Sequence, residues 1–237
     1  MIESLVPQGS TYAADIDWVV NLIAILVGFW FAVTAGMFFW LLWRFRDRGQ
    51  KARYVTGDEP ELKRWVSWPH LLIIVCDVFI IVAAIQVWVR VKQTMPETQS
   101  TVRIVAQQWA WTFVHPGPDN RLDTEDDIAL VDELRLERGR TYQYELTSRD
   151  VLHSFSVPIF RLKQDAIPGR VIRGWFTPTL NGTYDIQCAE ICGIGHGIMN
   201  ARVVVEPPAQ HAAWLRAHRR EPALALAAGS APEQESL

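Results

Sequence analysis

GTYDIQCAEICGIGHGIMNARVVV, residues Gly182 to Val205, is the stretch on which the reading of this chain turns. Its ends, Gly182-Thr-Tyr-Asp-Ile and Ala201-Arg-Val-Val-Val, are short runs rich in β-branched and aromatic residues, as strands are. Between them Cys188, Cys192, His196 and Met199 bring two thiols, an imidazole and a thioether into one short loop. Soft sulfur together with imidazole suits copper and typifies electron-transfer copper sites. Gly193, Gly195 and Gly197 let the backbone fold tightly enough for side chains four apart to converge. On the residues alone, plainer readings stay open. Cys188 and Cys192 would make a disulfide in an exported domain. A zinc site is another reading, although a thioether is a poor zinc ligand and CxxC the commoner spacing. His196 and Met199 could also be ordinary loop or core residues. Three cysteines are too few for a disulfide scaffold, and without a CxxCH run there is no covalently attached c-type haem.

Upstream of this loop the same texture continues. From Val102 to Glu206 short β-rich runs, among them 102–106, 109–114, 141–146 and 171–176, alternate with Gly, Pro, Asn and Asp clusters. That spacing predicts an antiparallel sandwich or barrel. His153 lies in the strand-like run Asp150-Val-Leu-His-Ser-Phe-Ser-Val-Pro158, well before the cysteines. A single histidine there has an ordinary reading as a surface or hydrogen-bonded residue. It also suits a site that takes one imidazole from an earlier strand and its other ligands from a late loop.

The first ninety residues are of another kind. Residues 18–43 hold no charged side chain, and 65–89 hold one, Asp77. At about 1.5 Å per residue either stretch crosses a hydrocarbon core of roughly 30 Å. Trp18, Trp40 and Trp43 sit near the ends of the first, at the depth indole prefers. Glu3, Asp15 and Asp17 precede it with no Lys or Arg, which suits an uncleaved anchor rather than a signal peptide. Arg44, Arg46, Arg48, Lys51, Arg53, Lys63 and Arg64 crowd the connecting segment and place it in the cytoplasm. The expected organisation is a periplasmic segment over 1–16 and a transmembrane hairpin over 17–95, with a cytoplasmic loop over 44–64. An exported β domain over 96–206 and a tail over 207–237 follow. The tail is expected to be helical from Ala209 to Arg220 and disordered beyond. A net charge of −3 argues against a nucleic-acid partner.

Taken in order, the hairpin, Gln108-Trp-Ala-Trp111, Asp150-Val-Leu-His153, Leu162-Lys-Gln-Asp-Ala-Ile-Pro-Gly-Arg170 and the Cys188–Met199 loop resemble subunit II of haem-copper cytochrome c oxidase. The resemblance implies a two-helix transmembrane hairpin joined to an all-β, cupredoxin-like Greek-key sandwich or barrel carrying a dinuclear copper (CuA) centre. It implies that Cys188 and Cys192 bridge two copper ions, that His153 and His196 each terminate one, and that Met199 and the Glu190 carbonyl are weak axial ligands. It further implies a magnesium ion on the Glu190 side chain at the contact with subunit I, electron input through Trp109, and Asp150 and Asp165 near docking or subunit surfaces. The partners it implies are subunit I, other oxidase subunits, membrane lipids and cytochrome c. The location is a bacterial inner membrane, with both termini and the copper domain outside. The copper subunit of a nitric-oxide-reducing complex and a membrane-tethered copper-binding or delivery protein are the alternatives. A quinol-oxidase relative would typically have lost the ligands.

The sequence departs from that family in places. Ala110 stands where a tyrosine is frequent between the two tryptophans. Leu62, not Glu61, lies three residues before Trp65, which disfavours Glu61 as a proton-uptake carboxylate. Asp77 in mid-span is a functional-site candidate by its cost alone. The preferred reading is a protonated Asp hydrogen-bonded to a neighbouring helix, beside Cys76 as a small packing residue. His70 is expected to be interfacial. The stretch His115 to Asp127, with acids at 119, 123, 125, 126 and 127, reads as a solvated acidic turn rather than a calcium loop, since the loop glycine is missing. With 15 acids against 11 Lys and Arg over 97–206, a steering role toward a basic cytochrome c is a further expectation.

Overall fold

The computed structural model describes residues 2–47, 49 and 56–218, in two compact units. Arg48, Lys51, Arg53 and the expected disordered tail lie outside the described residues. In the first unit α1 (Ala13–Arg44) and α2 (Pro60–Trp88) are both long and apolar enough to cross a membrane. Each outruns its uncharged stretch. Polar residues such as Asp15, Glu61 and Lys63 continue the helix without a break, and Pro60 sits in the first turn, where its missing N–H costs nothing. A π-helical turn, Val89–Gln93, extends α2. Arg90 pairs with Asp15 at 2.9 Å, so the start of α1 lies beside the end of α2 and the helices run antiparallel. Most of their side chains are exposed.

The second unit is a sandwich of two five-stranded sheets. One holds, in spatial order, β3 (Ile128–Val131), β2 (Ala110–His115), β1 (Ser100–Gln107), β5 (Tyr142–Ser148) and β8 (Ile172–Phe176). The other holds β4 (Glu133–Glu137), β10 (Asn200–Glu206), β9 (Gly182–Cys188), β6 (His153–Val157) and β7 (Leu162–Ala166). Alternate residues face the core: Tyr142, Tyr144 and Leu146 on β5 are buried, and so are Ala201, Val203 and Val205 on β10. Trp111 and Phe155 meet edge-on at 5.4 Å across the two sheets, while Tyr144 stacks on Phe176 at 6.0 Å.

The sandwich is not purely antiparallel. β1 pairs with β5, and β10 with β4, in parallel, because the chain crosses between sheets after β4 and returns from the same end. Val6–Ala13 also belongs to this unit, an association the sequence did not signal. Ser10 bridges Pro178 and donates its hydroxyl to Phe160 O at 2.8 Å. Tyr12 is buried edge-on against Trp175. A final helix, α3 (Pro208–Ala217), packs Trp214 and His211 inward, and Trp214 meets His115 at 5.2 Å.

Candidate metal centre

Two structural facts bring the candidate ligands together. β6 and β9 are neighbours, with Phe155 opposite Cys188, so His153 at the head of β6 arrives beside the cysteine that closes β9. The loop from Cys188 to β10 then folds back on itself. Cys188 N donates to Met199 O at 3.1 Å, Ala189 N to Ser154 O at 2.9 Å, and His196 N to Gly193 O at 3.1 Å. The main chain is therefore pinned by its own hydrogen bonds before any metal is considered.

Six groups converge there. Cys188 Sγ lies 3.8 Å from Cys192 Sγ, 3.9 Å from His153 Nδ1 and 3.2 Å from Glu190 O. Cys192 Sγ lies 3.7 Å from both His196 Nδ1 and Met199 Sδ. The donor atoms of His153, Cys188 and Cys192 all fall within 4.8 Å of one another. Both cysteines are free and buried, so their pairing is not a disulfide. The donor set is soft sulfur and imidazole around a shared thiol pair, which fits copper and leaves zinc with a thioether it has little use for. Burial, and next the neighbouring Cys188 thiol, push the Cys192 thiol up to about 11, so metal binding there must displace a proton.

The supporting residues are as specific as the ligands. His153 turns Nδ1 toward sulfur and Nε2 toward Asp150 Oδ1, at 2.8 Å. A carboxylate on the far nitrogen fixes ring orientation and tautomer. Asp150 Oδ2 also accepts the Gln108 N–H at 2.6 Å, and Oδ1 accepts the Val151 N–H at 2.7 Å. Partial burial works against the charge, yet these hydrogen bonds, that from Gln108 foremost, hold the Asp150 carboxyl down at about 2. Gln108 donates its amide to Cys192 O at 2.7 Å, a role that its place before Trp109 did not reveal.

Trp109 is 37% exposed and lies against the ligand loop. A methyl on Gly195 would overlap its indole ring, and Gly193 combines φ +121° with close contact to Gln108 and Trp109. These two glycines are required by contact; at Gly197 nothing lies within 4 Å. Trp111 is fully buried and edge-on to His153 at 6.2 Å. Asp165 stands half-buried on β7 opposite Ser154, and Glu190 and Ala110 are half-buried.

Other candidates fall elsewhere. In the acidic stretch Asp123 pairs with Arg103 at 2.6 Å, while Asp126 and Asp127 accept N–H groups of Asp119 and Asp123. It folds back on the start of β1, where Asn120 holds Gln99 O, at the end of β2 away from Trp109. Asp77 is exposed on α2 and, with half-buried Cys76, lines an apolar groove against α1; Glu61 and His70 are exposed.

Residues 100–207 match the family model described as cytochrome c oxidase subunit II, periplasmic domain. The chain is 33% identical over 223 residues to the alternative cytochrome c oxidase subunit 2 of Bradyrhizobium diazoefficiens, covering 84% of this chain and 79% of that protein. It is 28% identical over 245 residues to cytochrome c oxidase subunit 2 of Cereibacter sphaeroides, covering 90% and 79%. Among solved structures, the periplasmic domain of subunit II of cytochrome oxidase of Bradyrhizobium japonicum is similar at a TM-score of 0.47 and 26% identity. That likeness covers 53% of this chain and 96% of that one.

Proposed function

Because the chain belongs to the cytochrome c oxidase subunit 2 family, and so is a subunit of a haem-copper terminal oxidase, we propose that it is the electron-input subunit of that oxidoreductase complex. In this reading the loop residues would hold a dinuclear copper centre, and the subunit would relay electrons from cytochrome c to the haem of subunit I, where oxygen is reduced. The observation that carries it is the convergence of His153, Cys188, Cys192, His196, Met199 and the Glu190 carbonyl around one thiol pair. When bound, a sulfur-bridged copper pair spreads a one-electron charge change over two metals, so that bond lengths alter little.

The chain's own residues supply the rest. Cys188, Cys192, His153 and His196 would hold the copper as thiolate and imidazole ligands, with Met199 and Glu190 O as weaker ones. Asp150 holds the His153 ring in place, and fully buried Trp111 flanks that ring edge-on with Phe155 against it. Trp109, partly exposed outside and pressed on Gly195 inside, is the electron-input residue. The Glu190 carboxylate would hold a magnesium ion at the contact with subunit I. The hairpin crosses the inner membrane twice with both termini and the sandwich on the periplasmic side, in contact with subunit I and lipid. Fully buried His153 and the buried thiols suit a resident metal better than one handed on by a delivery protein.

The test is the electron paramagnetic resonance spectrum of the full chain, loaded with copper in detergent. One unpaired electron shared equally by two copper nuclei is expected, and Cys192→Ser should abolish that signal. A spectrum of isolated mononuclear copper would overturn the assignment.

A further inference from the structure

Two grooves of different chemistry run between α1 and α2. One, of about 730 Å³, is lined by Phe29 and Val33 of α1 and by Trp65, Trp68 and Leu72 of α2, with Arg64 at one end. The other holds Thr34 and Asp77 among Phe31, Ile73 and Ile80. Leu26, Trp30 and Cys76 belong to both linings and are half-buried. They form the seam along which the helices pack, and the grooves flank it.

The polar groups decide what covers each groove. A carboxylate within a membrane span is costly in lipid and faces protein or a water-filled cavity. Asp77 therefore assigns its own groove to a partner subunit and leaves the other toward lipid. That second lining is apolar apart from Arg64, and on α2 it runs from Arg64 to Cys76, about 18 Å of helix rise. A transmembrane helix would need a seat along the whole hydrocarbon core of roughly 30 Å, whereas this groove is close to the half that one leaflet fills. Trp65 and Trp68 are exposed beside the guanidinium, and indole prefers the depth where headgroups meet hydrocarbon. Lys63, also exposed, precedes Arg64. Basic groups at the cytoplasmic mouth of a cleft between membrane helices recognise the phosphate of anionic lipids.

We propose that the groove of Trp65, Trp68 and Leu72 holds an acyl chain of one anionic phospholipid of the cytoplasmic leaflet, whose phosphate Arg64 binds. The inference rests on the two-pass orientation proposed above, with the segment between α1 and α2 on the cytoplasmic side. It makes one lipid a fixed component of the complex on the face of the hairpin away from Asp77.

Native mass spectrometry reads the retained lipid, both on the full chain in detergent and on the purified oxidase containing it, with dioleoyl phosphatidylglycerol or dioleoyl phosphatidylcholine added. The wild-type chain should keep one phosphatidylglycerol and prefer it by about fivefold or more. Arg64→Gln should erase the preference and Arg64→Lys should retain it. Arg46→Gln removes the same charge from the same basic flank but outside the groove, and should leave the preference unchanged. Leu72→Trp should lower retention of both lipids by filling the groove. The oxidase should show the same pattern. Equal losses from Arg46→Gln and Arg64→Gln would reduce the effect to general attraction by a basic segment. Binding to the isolated chain that is missing from the oxidase would put a subunit helix in the groove. Either result overturns the proposal. The orientation beneath it is read separately, from Thr56→Cys and a membrane-impermeant thiol reagent on intact spheroplasts. Labelling from outside would overturn that orientation, whereas a protected Cys with no lipid preference would overturn the lipid site alone.

Discussion

At the residue scale, Asp150 joins the two halves of the site. One carboxylate holds the far nitrogen of His153 and the main chain beside Trp109, so ligand orientation and indole position share a support. Asp150→Asn keeps the size but removes the charge and sets an amide N–H against the Gln108 N–H or His153. Copper affinity should fall by about tenfold or more, the usual consequence of losing a ligand's outer partner. Competition with a chelator of known affinity checks this, and undiminished affinity would show that the loop hydrogen bonds alone orient the ring. The side chains that converge here were legible in the sequence, because two thiols, an imidazole and a thioether at short spacing have few joint explanations. Gln108 was not: an amide that caps a carbonyl across the fold leaves no trace in local spacing. The glycines were read as giving a pliable loop, whereas Gly193 and Gly195 are there because Trp109 and Gln108 leave no room for a side chain.

At the element scale, the segment Val6–Ala13 works as a strap on the sandwich, not as a loose leader to α1. Thr179 N donates to Gly9 O at 2.9 Å, Arg161 reaches Val6 O at 2.7 Å, and Tyr12 is 1% exposed beneath Trp175. Tyr12→Ala should destabilise the β unit by about 3–5 kcal/mol, the range for emptying a buried aromatic site. Thermal melting of the full chain in detergent measures it. A fragment begun at Glu97 should melt lower than the full chain for the same reason, and equal melting would show the strap to be idle. No sequence pattern announces such a strap, since its burial is made by residues far along the chain. β4 and β7 escaped for a related reason. Glu133-Leu-Arg-Leu-Glu137 buries only Leu134 and Leu136, and β7 is an edge strand burying Leu162 and Ala166, so neither has the density of β-branched residues that marked β10. The apolar cores of both helices were plain, but their polar ends were not, because helix propensity continues where hydropathy stops.

At the scale of the whole molecule, the sandwich separates two polar regions. The thiol and imidazole cluster and Trp109 occupy one end of β2, and His115 with α3 occupies the other. Composition along the chain foretold two long apolar helices and a β head, but not which loops share an end, since that depends on the crossovers that make β1–β5 and β4–β10 parallel. The far end sets an acid limit on stability. Burial first, then the nearby charges of His211 and Arg135, push His115 down to about 3 from an ordinary 6.5. Burial lowers His211 as well, against the opposing pull of Glu137 and Glu206. Above pH 6.5 the imidazole of His115 is neutral in folded and unfolded chains alike, and its titration has no effect. As pH falls from 6.5 toward 3 the unfolded chain takes up a proton that the folded one refuses, so stability is lost at up to about 1.4 kcal/mol per pH unit for this group. Below about 3 both states carry the proton and the loss levels off. His115→Gln retains an acceptor for the Arg135 N–H, which now lies 3.5 Å from His115 Nε2, and removes the proton site. Denaturant midpoints of metal-free chain, measured between pH 6.5 and 4 with chelator present, should therefore slope less steeply in the variant, by about one proton's worth. An unchanged slope would locate the acid sensitivity in His211 or elsewhere, and would mean that His115 gains its proton without unfolding the end of the sandwich that α3 closes.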